Sequence, residues 1–84
     1  MCPVRHQLIL PDLGLGDVPV TASVWLVEQG KRVTEGDRLL EVLADGVTVD
    51  LPSPVTGLLV KLLVSEDEQL TVGQPLAVLE TGTS

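Results

Sequence analysis

The Asp45-Gly46 pair constrains this chain more than any other feature, because it separates two runs in which apolar and other residues alternate. A two-residue type I′ hairpin turn needs positive φ at both central positions, and Asp-Gly adopts that geometry at small cost. Centring the turn there fixes the register. Ala44 then faces Val47, Val42 faces Val49 and Leu40 faces Leu51, which puts six apolar side chains on one face. The opposite face sets Leu43 against Thr48 and Glu41 against Asp50. Like charges directly opposed cost up to about 1 kcal/mol, so that face must be wet.

The rest of the chain repeats this grammar. Its two halves can be laid over one another at an offset of 37 residues, with identities at Val27/Val64, Thr34/Thr71, Gly36/Gly73 and Leu39/Leu76. Two copies are too few for a solenoid and suit a small domain made of two similar sheet-forming halves. Period-two runs bounded by turn formers predict strands near 7–11, 22–27, 39–43, 47–51, 57–64 and 76–80, with very short ones near 33–34 and 70–71. No helix is predicted, since Gly30, Gly36, Gly57, Gly73 and six prolines interrupt every candidate before it reaches three turns. Residues 1–6 read as a flexible lead-in, 7–80 as the folded domain and 81–84 as a small, polar, frayed tail.

Composition narrows the function classes. A chain of 84 residues makes one domain with a compact core, for which 44% hydrophobic residues suffice. It has no Phe or Tyr and one Trp, so base stacking and aromatic cages are poorly supplied. The net charge is −7 and the five cations are scattered at Arg5, Lys31, Arg32, Arg38 and Lys61, which argues against nucleic acid and anionic membrane as partners. Cys2, the single cysteine, allows neither an internal disulfide nor a metal site of four cysteine ligands. The absence of a long apolar run or a signal-peptide layout makes cytoplasmic residence the expectation.

No catalytic or metal-binding residue is assigned. Gly14-Leu15-Gly16 lacks the glycine spacing, following helix and lysine of a phosphate loop and reads as a surface loop. Cys2 and His6 sit near the expected loose terminus without a third orienting group, and Glu66-Asp67-Glu68 reads as a solvated turn. Trp25 is expected to pack on the core, with a partner surface as the alternative. Leu43, outward beside the tip, is the better candidate for a partner contact.

Four segments carry a family resemblance: Pro11-Asp12-Leu13-Gly14, Trp25-Leu26-Val27, Val33-Thr34-Glu35-Gly36-Asp37, and Asp45-Gly46-Val47-Thr48-Val49-Asp50-Leu51-Pro52-Ser53-Pro54 followed by Gly57. Over residues 8 to 80 the chain resembles lipoyl/biotinyl-attachment domains, most closely the lipoyl domain of the acyltransferase component of 2-oxo-acid dehydrogenase complexes. The resemblance implies an all-β fold, a flattened barrel or sandwich of two four-stranded antiparallel sheets with pseudo-twofold symmetry (a barrel-sandwich hybrid). In those families the hairpin tip bears the lysine that carries lipoate or biotin. Here the corresponding residue is Gly46, which has no amine, and the only methionine is Met1, whereas biotin acceptors lie between methionines. The expectation is therefore no cofactor at Asp45-Gly46 and no catalysis. The chain would act as an unmodified interaction or scaffolding module, its partners dehydrogenase-complex components and its contact residues Leu43, Ala44, Asp45, Gly46 and Val47. The alternative is a swinging-arm carrier, lipoyl or biotinyl, whose acceptor is lost in this chain or lies elsewhere. Lys31 and Lys61, the other lysines, read as solvent-facing structural positions.

Overall fold

Alternating side chains resolve into eight strands, and there is no helix among the described residues. The computed structural model describes residues 4–14, 16 and 18–82. The strands are β1 (Val4–Ile9), β2 (Val20–Trp25), β3 (Arg32–Val33), β4 (Arg38–Ala44), β5 (Val47–Pro52), β6 (Gly57–Leu62), β7 (Gln69–Leu70) and β8 (Pro75–Thr81). They form two four-stranded antiparallel sheets, ordered β1-β8-β6-β3 (sheet A) and β5-β4-β2-β7 (sheet B). This is the two-sheet all-β architecture expected from the sequence.

Some boundaries differ from expectation. β1 starts at Val4 rather than near residue 7, and Val4, Arg5 and His6 pair with Thr81, Glu80 and Leu79. Residues 4–6 are thus part of a ladder rather than a loose lead-in, and Thr81 belongs to β8 rather than to a tail. β1 lies at the edge of sheet A and buries only Leu8 fully, so its hydropathy does not announce a strand. β2 begins at Val20, whose side chain is buried and whose neighbours across the ladders are Ala44 and Leu70. Met1–Pro3, Thr83 and Ser84 lie outside the described residues.

The 37-residue repeat is a repeat of hydrogen bonds. Gly30 N donates to Leu59 O and Asp67 N to Ala22 O, each at 2.7 Å; Leu59 N donates to Lys31 O and Ala22 N to Glu68 O, each at 2.9 Å. The turns before β4 and β8 close alike, with Thr34 N donating to Asp37 Oδ2 at 2.8 Å and Thr71 N to Gln74 Oε1 at 2.9 Å. Even the ladder irregularities correspond, falling between Ala22 and Val24 in β2 and between Leu59 and Lys61 in β6. The sheets are therefore related by a pseudo-twofold operation.

Between them lies one core, in which Leu39, Leu40 and Val42 of β4 meet their counterparts Leu76, Ala77 and Leu79 of β8, all fully buried. Burying a leucine side chain contributes about 1.5–3 kcal/mol. One symmetric pair is unequal: Val20 has Gly57 as its counterpart. A Cβ at Gly57 would run into the Glu80 carbonyl, its carbon only 3.0 Å away, so β6 approaches β8 too closely there for any side chain.

Candidate functional site

The β4–β5 hairpin forms in the expected register, with Ala44 opposite Val47, Leu43 opposite Thr48, Val42 opposite Val49, Glu41 opposite Asp50 and Leu40 opposite Leu51. Asp45 has φ 51° and Gly46 φ 76°, the paired positive values that a type I′ turn needs. No atom lies within 4 Å of where a Gly46 side chain would begin. The tip is held by its backbone, and any group placed at 46 would project into open space.

The six inward apolar residues are not equally covered. Leu40, Val42, Ala44 and Leu51 are buried and Val49 half-buried, but Val47 is 53% exposed, because the sandwich ends before the tip. Ala44 therefore has to be removed from the candidate contact residues. Alternation turns it inward beside Val42, it has no exposed surface, and a partner cannot reach its side chain. Leu43, Asp45, Gly46 and Val47 remain exposed at the tip.

On the outer face, Glu41 opposes Asp50 as expected, and the structure adds a cation that sequence reasoning missed. Arg38 Nη1 donates to Asp50 Oδ2 at 3.2 Å, partly neutralising the acidic pair. The ladder shifts between Arg38 and Leu40, so strict alternation would not place Arg38 beside Asp50. A shallow groove of about 600 Å³ crosses this face, lined by Leu26, Arg38, Glu41, Thr48 and Asp50 among others.

The remaining candidates stay apart from the tip. Trp25 is half-buried against the core and its indole Nε1 donates to Val64 O at 3.0 Å, a packing role. His6 lies in β1 with Nε2 3.2 Å from Thr81 Oγ1; Cys2, its supposed companion, is outside the described residues. Glu66 Oε2 accepts Trp25 N–H and Glu68 Oε1 accepts Ser65 N–H, so two of the three acids in that turn cap backbone groups. Among the described residues no group of three or more His, Cys, Asp or Glu side chains could hold a metal ion. Lys31 and Lys61 are exposed. The chain after Gly14 enters strand β2 rather than a helix, and Leu13 and Val18 of that loop pack against the core; Leu15 is outside the described residues.

Comparison with known proteins gives the family of the chain. A biotin/lipoyl family model, described as "Biotin-requiring enzyme", matches residues 6–79. The chain belongs to the biotin/lipoyl domain family. It is 36% identical over 76 residues to a lipoamide acyltransferase component of the branched-chain alpha-keto acid dehydrogenase complex of Bacillus subtilis, covering 90% of this chain and 18% of that protein. It is 39% identical over 78 residues to the dihydrolipoyllysine-residue acetyltransferase component of the pyruvate dehydrogenase complex of Acholeplasma laidlawii, covering 93% of this chain and 14% of that protein. The chain thus spans less than a fifth of the length of these two relatives. A solved single-chain, multi-domain long-chain acyl-CoA carboxylase contains the same fold, with a TM-score of 0.76 over 100% of this chain and 8% of the other, at 21% identity. No helix among the described residues is long and apolar enough to cross a membrane.

Proposed function

We propose that this chain is a lipoyl-type domain without the attachment lysine, working as an unmodified, non-catalytic interaction module beside a 2-oxo-acid dehydrogenase complex in the cytoplasm. The observation that carries the reading is Gly46 at the tip of an intact β4–β5 hairpin. An amide to lipoate or biotin needs a primary amine, and glycine offers none. Because nothing packs around position 46, the turn does not need a lysine for its stability. Lys31 and Lys61 offer amines, but neither stands on a two-residue hairpin tip. Support for the dehydrogenase setting comes from the acyltransferase relatives and for protein partners from the exposed Leu43 and Val47 at the tip.

The test is binding to purified dehydrogenase, acyltransferase and dihydrolipoyl dehydrogenase components, with the intact chain against a Leu43→Ser/Asp45→Ala variant. Binding by the intact chain that falls at least fivefold in the variant supports the reading; no binding to any component contradicts it. The carrier alternative makes its own prediction. Gly46→Lys should then be modified by a lipoate or biotin ligase, because the surface flanking the tip would still be recognised.

A further inference from the structure

The pseudo-twofold axis places the same positions of both sheets in the same cross-strand rows, so the outer faces can be compared residue by residue. In sheet A the row nearest the open strand ends reads Arg5, Glu80, Leu58, Arg32; in sheet B the equivalent row, beside the hairpin tip, reads Thr48, Leu43, Thr21, Gln69. The next row is Gln7, Val78, Lys61 in sheet A and Asp50, Glu41, Val24 in sheet B. Sheet A completes its own electrostatics, with Arg5 Nε donating to Glu80 Oε2 at 3.2 Å. Sheet B does not. Where sheet A has the paired Glu80, sheet B has Leu43, 42% exposed, and behind it two carboxylates face one another with neither lysine nor arginine in either row.

We propose that this outer face of sheet B, centred on Leu43, Glu41 and Asp50, docks a protein segment that presents an apolar side chain flanked by cationic ones. The proposal rests on the reading of the chain as an interaction module and supplies the chemistry of its partner. Three features select that occupant. Leu43 sits between Thr48 and Thr21, so an apolar anchor has a single small landing site within a polar rim, as interface centres do. Glu41 and Asp50 repel across the ladder and Arg38 reaches only Asp50, so a cation placed beside Glu41 gains attraction and relieves the repulsion. The groove of about 600 Å³ on this face, whose charged lining is Asp37, Glu41 and Asp50 against the single cation Arg38, gives a long side chain room to lie along the face. A second copy of the chain is disfavoured as the occupant, because two molecules of net charge −7 repel.

The experiment is an amide chemical-shift titration of the isotope-labelled chain at low salt, with a Gly/Ser peptide carrying Leu between two Lys as the probe. The expected result is that the largest shifts fall on Thr21, Glu41, Leu43, Thr48 and Asp50, that Glu41→Gln/Asp50→Asn weakens binding by about tenfold, and that Leu43→Thr weakens it several-fold. All three substitutions are outward-facing, and the same spectra report whether each variant is folded. Largest shifts at Glu66-Asp67-Glu68, or undiminished binding by Glu41→Gln/Asp50→Asn, would overturn the proposal by showing only general acidic attraction. Equal binding of a peptide with Gln in place of Lys would also overturn it. So would a sedimentation dimer that Leu43→Thr dissolves, since the occupant would then be a second copy. A lipoyl or biotinyl adduct on the native protein would instead count against the unmodified reading and leave the titration result standing.

Discussion

The hairpin β4–β5 and the pair β8–β1 are the same structure built twice, yet only one of them has a turn. β5 and β1 even share one burial pattern, four exposed residues with a half-buried one third and a buried one fifth. Asp45-Gly46 closes the first pair, while in the second Val4 simply lies across from Thr81 with no turn between them. The sandwich therefore holds such a pair together through its buried residues and ladder, without help from a turn. What stands at position 46 is consequently constrained by the positive φ of the turn rather than by packing, since no atom crowds the place where a side chain would begin.

That comparison can be broken most severely at the point where the halves differ in packing. Gly57→Ala should cost about 3 kcal/mol or more, measured by urea denaturation, because the new methyl meets backbone at Glu80 rather than a side chain that can move. Val20, at the equivalent place in sheet B, already carries a buried side chain, so the two positions are not interchangeable. A small effect at Gly57 would mean that β6 and β8 are farther apart than described.

A milder test addresses the tip itself. Gly46→Lys should cost about 1 kcal/mol, all of it from holding an L-residue at positive φ, since the added atoms meet nothing. A loss well above that would show that the turn is part of what stabilises the fold. The smallest expected effect lies on the outer face. Glu41→Gln should raise stability by about 0.5 kcal/mol at neutral pH and low salt, with the gain shrinking as salt is added. Destabilisation would show that Glu41 makes an attractive contact rather than a repulsive one.

The parts of the fold legible in the sequence are those where alternation and turn chemistry agree. Asp-Gly between alternating runs is enough to give the hairpin register down to Leu40 opposite Leu51. The edge strand β1 is less visible, since Arg5 and Gln7 face outward and only Leu8 is fully buried, which hides the strand's first half. Ala44 is a different kind of miss: its proximity to the tip suggests a contact, whereas strand alternation, already known, turns it into the core. Arg38 reaches Asp50 only because the ladder shifts beside it, and no periodicity in the chain marks that shift. The packing of Leu13 and Val18 on the core depends on the path of a loop, which local sequence does not specify. The role proposed for Gly46 comes from family resemblance, because an Asp-Gly turn by itself says only that the chain reverses there.

The most direct measurement of the central claim is the intact mass of this protein isolated from its native source. The expected result is the mass of the polypeptide without a lipoyl or biotinyl adduct. An adduct of either kind, mapped to Lys31 or Lys61, would contradict it and make the domain a carrier with its acceptor moved away from the hairpin tip.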